Sequence, residues 1–176
     1  GGWAWRDVAA ALRAQGHDVH TVSLTGMGER AHLAGPGVDL NTHVNDVVNV
    51  LHYGELDDVV LVGHSYAGAV VTPSAADRVP EKIASLVFVD TGPLPDGMSQ
   101  SDFGGSSEPV GEQIPPPRWD DLLASGAQRT TRLSVAQPGA TATSVVHYTG
   151  AWESVPRVFV MSSVTEADVR ESSTTV

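Results

Sequence analysis

The sequence predicts an α/β protein with a mostly parallel sheet and flanking helices. Three observations carry that expectation. Two short runs, "DDVVLVG" at 57–63 and "IASLVFVD" at 83–90, lack the alternation of a half-solvated strand, as strands covered on both faces of a parallel sheet do. Segments with apolar residues at helical spacing stand between and before them. The resulting order from residue 17 to 90 is strand, helix, strand, helix, strand, which parallel strands joined by right-handed crossovers satisfy.

Each element has its own signal. "WAWRDVAAALRAQG" places Trp5, Val8, Ala9 and Leu12 on one helical face, with Gly16 as the C-terminal stop. "HDVHTVSL" alternates through Val19 and Leu24 and predicts a short strand over 17–24. Residues 25–40 carry several glycines and a proline and predict a loop. In "NTHVNDVVNVLHY", Val44, Val47, Val48 and Leu51 fall at i, i+3, i+4 and i+7, with Asn41 or Thr42 placed to cap the helix. "DDVVLVG" is expected in the middle of the sheet. "SYAGAVVTPSAADRV" predicts a helix that Pro73 kinks or whose start it shifts, because proline lacks the backbone donor and crowds the preceding turn.

Beyond Thr91 the pattern changes. Residues 92–150 hold most of the prolines and no clear βα repeat, as a lid or binding insertion would. "PRVFVMSS" predicts a further strand at 157–163, and the remaining tail is polar. The expected organisation is a single domain: residues 1–91 as the core, 92–150 as a lid or cap, and 151–176 as a late core strand and tail.

Bulk composition narrows the function classes. The 176 residues are enough for one substantial core. A net charge of −11 argues against nucleic acid or an anionic membrane as partner, since both require clustered positive charge. There is no cysteine, which excludes disulfides, thiolate chemistry and cysteine zinc sites. No apolar run reaches the roughly 18–20 residues that span a bilayer. The opening "GGWAWRDV" does not read as a signal peptide, so the expected location is cytoplasmic. His17 and His20 would point to opposite faces of a strand, and no metal site is expected.

The informative stretch is Gly63-His64-Ser65-Tyr66-Ala67-Gly68, set between an apolar strand and a helix. In that context it predicts a nucleophile elbow, a sharp turn presenting Ser65 at the carboxyl edge of the sheet. Positions two before and two after the serine must be small for strand and helix to close on each other, and Gly63 and Ala67 meet that need. Ser65 is the candidate nucleophile, and the Tyr66 backbone N–H, at the helix start, is the candidate oxyanion donor. His64 cannot serve as base to its own neighbour; it is expected to pack beside the sheet or line the pocket. Tyr66 and Trp119, with Phe103, are further candidates for substrate contact.

These motifs carry a resemblance. "GGWAWRDVAAALRAQGHDV", "LTGMGERAHL", "DDVVLVGHSYAG", "DRVPEKI", "LVFVDTGPLPDGMS" and "GAWESVPRVFV" resemble the α/β-hydrolase superfamily. The nearest branch is that of small esterase-like proteins related to plant methyl-ester esterases and hydroxynitrile lyases. The resemblance spans residues 1 to about 160. It implies the α/β-hydrolase fold, a Ser–acid–His triad in that chain order, and a His-Gly oxyanion turn just ahead of the "GWxW" stretch. It implies no cofactor.

The resemblance is met only in part. The His-Gly turn would lie upstream of Gly1. After "PRVFVMSS", Thr165 stands about where the acid is expected, with Glu166 and Asp168 as the nearest carboxylates, and the chain ends before the histidine. The expectation is therefore a hydrolase-fold chain incomplete at both termini. Within the chain, Asp90 and His147 complete a serine–acid–histidine order, Asp90 also being readable as a strand-end residue holding the "TGPLP" turn, and His147 as an exposed or lid-packing residue. In the "GMGERAHL" loop, Glu29 and Arg30 are placed to pair and brace the backbone.

Three readings follow. One is a serine hydrolase acting on small esters through Ser65, impaired where the base is missing. Another is an inactive hydrolase-fold fragment or ligand-binding protein. The third is a C–C lyase of the same fold, for which the single lysine, Lys82, lies in an unpromising place after the elbow helix. The partner in the first reading is a small-molecule ester; oligomeric state is not legible.

Overall fold

The computed structural model describes residues 1–104, 110–118 and 127–162. In chain order the helices are α1 (Arg6–Ala14), α2 (Leu40–Tyr53), α3 (Thr72–Arg78), α4 (Gln100–Phe103), α5 (Ala127–Leu133) and α6 (Ala140–Thr143). The strands are β1 (Val59–His64), β2 (Ile83–Val89), β3 (Gln113–Ile114), β4 (Gln137–Pro138) and β5 (Arg157–Val160). They divide between two compact units, one of Gly1–Val50 with Gly105–Ser144, the other of Leu51–Gly104 with Val145–Val176.

The second unit holds the parallel sheet, in the order β1-β2-β5. The central strand carries the core, with Leu86 and Phe88 fully buried and Ala75 and Ala76 of α3 equally so. The expectation that "DDVVLVG" lies mid-sheet, covered on both faces, is corrected. Among the described residues β1 is an edge strand, and Val60 and Val62 are 57% and 40% exposed. The alternation absent from its sequence is present in its burial, because side chains of successive residues leave opposite faces and one face of β1 stays open. The late strand is also shorter than expected, ending at Val160, with Val158, Phe159 and Val160 about half exposed.

In the first unit, α1 ends as the sequence predicts. Gly16 takes a left-handed φ of +90°, the Gly16 N–H donates to the Arg13 carbonyl, and the His17 N–H to that of Leu12. This is a Schellman stop, for which glycine avoids the Cβ penalty. The apolar face of α1 is less covered than its spacing suggests: Ala9 is buried, while Val8 and Leu12 stay exposed. Residues 17–24, expected as a strand, pair with no other strand among the described residues. Alternation prescribes which way side chains face, but a strand also needs a neighbour to exchange hydrogen bonds with.

Helix α2 buries Val44, Val47 and Leu51 as its period demands. Its cap is Asp39 rather than Asn41 or Thr42. The Asp39 carboxylate accepts from the Thr42 N–H at 2.8 Å and from the Thr42 hydroxyl at 2.9 Å. Burial opposes ionisation of Asp39, yet these bonds hold its carboxyl below the usual range.

The "GMGERAHL" loop forms a 3-10 turn over Gly28–Leu33 that is tied to α2 by Asp46. The Asp46 carboxylate accepts from the Thr25 N–H (2.6 Å), the Thr25 hydroxyl (2.9 Å) and Arg30 Nη1 (2.9 Å). Arg30 therefore pairs with Asp46 rather than with Glu29, whose carboxylate takes the Ser23 hydroxyl at 2.7 Å. One turn earlier on α2, fully buried His43 donates from Nε2 to the Thr25 carbonyl at 2.8 Å. Burial keeps its imidazole below its ordinary pKa.

Candidate active site

The site forms where β1 meets the helix that follows it. β1 runs parallel to β2 with His64 opposite Val89. The next residues, Ser65 and Asp90, both leave their strands in a left-handed conformation, at φ +51° and +47°. A non-glycine residue seldom sits there unless its surroundings compel it, and such strain concentrates at functional positions. Ser65 is exposed at the carboxyl edge of the sheet. The chain then enters a π turn, Ala67–Val71, that continues into α3. The Ala69 N–H donates to the Ser65 carbonyl at 2.8 Å, closing the elbow from the helix side.

The close approach that the elbow requires is made by two glycines, Gly63 and Gly68. A Cβ added to Gly63 would stand 2.6 Å from Gly68 Cα and collide with Thr72 Oγ1. A Cβ added to Gly68 would stand 2.8 Å from the Gly63 carbonyl oxygen and collide with the Thr91 methyl. On the helix side Gly68, one residue beyond half-buried Ala67, must therefore be small as well.

Pro73 marks the start of the α-helical segment, the second of the two outcomes expected for it. It falls in the first turn of α3, directly after the π turn, and is fully buried. The carbonyl four residues back, on Ala69, would lack its helical donor, and it accepts the Leu94 N–H at 2.9 Å instead. That bond fastens "TGPLP" to the elbow helix.

Asp90 holds the end of β5. Both of its carboxylate oxygens accept from Ser162, one from the backbone N–H and one from the hydroxyl. The Asp90 N–H donates to the Val160 carbonyl at 2.9 Å. His147 lies beside Asp96, with Nδ1 3.8 Å from its Oδ1, and its side chain is 78% exposed. Asp96 also accepts the Tyr148 N–H at 2.9 Å. His64 stands exposed at the strand end rather than packed beside the sheet, and Tyr66 is half-buried. Phe103 closes α4 and is 68% exposed. Trp119, Thr165, Glu166 and Asp168 lie outside the described residues. Lys82 is engaged away from the elbow, donating to Asp57 at 2.9 Å and to the Leu56 carbonyl at 3.2 Å.

Sequence reasoning missed Gly68, Thr72, Thr91 and Ser162 as parts of the elbow's support. Gly68 had a signal, a second small residue directly after Ala67. Ser162 had none, because its partner is 72 positions away.

A parallel sheet with a left-handed serine at the sharp turn into a helix defines the α/β-hydrolase architecture. The model of the alpha/beta hydrolase family matches residues 1–174, and the chain belongs to that family. Among similar proteins, the carbendazim hydrolyzing esterase of Nocardioides sp. (strain SG-4G) is 57% identical over 90 residues, 51% of this chain and 37% of that protein. The putative chloroplastic methylesterase 14 of Arabidopsis thaliana is 34% identical over 112 residues, 63% of this chain and 31% of that protein. The matched stretches thus span about a third of these relatives. Among solved structures, an extracellular alpha/beta-hydrolase from a Paenibacillus species superposes with a TM-score of 0.74 at 21% identity, over 91% of this chain and 72% of that one. Polyneuridine aldehyde esterase superposes at 0.67 and 18% identity, over 92% and 75%. At these identities the structural likeness speaks for the fold.

Proposed function

We propose that the chain carries the nucleophile of an esterase that cleaves small carboxylic esters by acyl transfer. The observation that carries this is Ser65, exposed and held at φ +51° between β1 and the elbow helix. In the proposed step the Ser65 hydroxyl attacks the ester carbonyl and its proton passes to an imidazole. The oxyanion is met by the Tyr66 N–H at the helix start, and the alcohol leaves with the proton returned. Water then repeats the sequence on the acyl-serine. The curated relatives named above are esterases, which supports this substrate class for the family branch.

The same reading makes Asp90 a strand-end latch rather than the acid of the triad, since Ser162 engages both of its oxygens. For His147, the partner in reach is Asp96. The competing reading, a ligand-binding hydrolase-fold chain without acylation, draws on those two pairings.

The test is labelling of the purified chain with a fluorophosphonate probe, read by intact mass, beside Ser65→Ala and His147→Ala. Such probes react only with an activated serine. One adduct on the parent that vanishes in Ser65→Ala is the expected result. A folded parent that takes no adduct overturns acyl transfer by this chain and leaves the binding reading. Undiminished labelling of His147→Ala removes His147 as the base.

A further inference from the structure

A concavity lies apart from the serine, within the unit that holds the sheet. It measures about 350 Å³, at the small end of ligand pockets, and Ser65 does not line it. Two straps wall it. The first is Pro93–Asp96, the segment fastened to the elbow helix through Leu94. The second is Tyr148–Glu153, whose turn is fixed by Asp77. The Asp77 carboxylate accepts the Thr149 N–H at 2.6 Å and the Trp152 N–H at 3.2 Å. Both straps are therefore anchored by backbone bonds, and the cavity is pre-formed.

Its chemistry is one-sided. Pro93, Leu94 and Pro95 supply an apolar wall, and Tyr148 and Trp152 an aromatic one, with ring centroids 5.6 Å apart and planes tilted by 56°. The charged groups in the lining are the carboxylates of Asp96 and Glu153, and no basic side chain lines it. The Arg157 guanidinium sits over the Trp152 ring, 5.1 Å from its centroid. Aromatic faces beside carboxylates favour a positive charge over a neutral or negative ligand. The net charge of −11 adds to the local potential.

We propose that this cavity is a binding site for a small organic ammonium ion, distinct from the ester site at Ser65. The cation's alkyl or aryl body lies against Pro93–Pro95 and Tyr148, and its charged head lies between Asp96 and Glu153. The site does not depend on the esterase reading; it stands or falls with its own lining.

Isothermal titration of the full chain with benzyltrimethylammonium tests it, with benzyl alcohol and benzoate as neutral and anionic controls. The expected result is saturable one-to-one binding of the cation alone, weakened by salt. Replacing both carboxylates, Asp96→Asn with Glu153→Gln, should weaken it about tenfold. Because Asp96 also accepts the Tyr148 N–H, a double variant that fails to fold is replaced by Glu153→Gln alone, at an exposed position, with a loss of a few-fold. No saturable binding, equal binding of the three probes, or unchanged affinity in a folded Glu153→Gln variant overturns the proposal.

Discussion

Gly68→Ala puts the geometry of the elbow to a direct test. The added methyl would stand 2.8 Å from the Gly63 carbonyl oxygen and 3.0 Å from its carbon, and would collide with the Thr91 methyl. Two of these obstacles are backbone and cannot rotate away, so β1 and the elbow helix must separate. Forcing a methyl into such a site costs about 1–3 kcal/mol, and the backbone obstacles place this case near 3 kcal/mol. With a urea slope of about 2 kcal/mol/M, the unfolding midpoint falls by about 1.5 M. Ala67→Gly is the contrast: it removes a half-buried methyl and costs about 1 kcal/mol of helix propensity, a shift of about 0.5 M. The assay is urea unfolding followed by far-UV circular dichroism on both variants. Thr91→Ser in the Gly68→Ala background should recover only part of the loss, because the carbonyl contact remains. A Gly68→Ala midpoint equal to the parent's, or less affected than that of Ala67→Gly, would refute the close approach of Gly68 to Gly63.

Three further outcomes are expected. Arg30→Met should destabilise the chain by about 2 kcal/mol, because it strips a partner from Asp46, whose side chain is only 9% exposed; the partly exposed guanidinium keeps the loss below that of a fully buried pair. Combined with Asp46→Asn, the loss should be less than the sum of the two, measurable in a double-mutant cycle of unfolding midpoints. His43 has its pKa depressed by burial, so the unfolded chain binds the proton more readily. Its contribution is complete above the unfolded value of about 6.5 and declines as pH falls from there toward the lower folded value. His43→Gln, which keeps a donor for the Thr25 carbonyl, should flatten the midpoint-against-pH curve in that window; an unchanged slope would count against the buried neutral imidazole. Burial opposes the charge on Asp77, but the Thr149 and Trp152 N–H groups outweigh it and hold the carboxyl low. Its stabilisation is present above about pH 3.9 and is lost as pH falls through the lower folded value. Asp77→Asn should therefore be less stable than the parent at pH 7, with the gap closing in acid unfolding curves; a gap that persists at low pH would contradict this.

Much of the fold was legible in the sequence where the governing interactions are short in range. The helix at α2 follows from Val44, Val47 and Leu51, whose spacing alone commits them to one face. The stop at Gly16 follows from the need for a left-handed residue. The elbow at Ser65 was readable because strand, small residue, serine and helix lie within a dozen positions. The departures share a cause. Residues 17–24 and β1 differ from their local pattern because strand pairing and burial depend on neighbours that local periodicity does not name. Glu29 is adjacent to Arg30 in sequence, but the carboxylate that pairs with Arg30 is that of Asp46, adjacent in space.

By itself, then, the sequence determined helices α1 and α2, the order of strand, elbow helix and strand from β1 to β2, the family and the serine at the turn, because propensity, periodicity and the close steric demands of an elbow act over a few residues. The tertiary structure alone decided which atoms support that serine: Gly68 against Gly63, Leu94 on the carbonyl that Pro73 leaves open, and Ser162 on Asp90. Most of these contacts join residues far apart in the chain, and they depend on where the strands end and on how the helix and loops pack against them. Neither is written in any short stretch of residues, since both arise only when every buried donor and acceptor must find a partner at once.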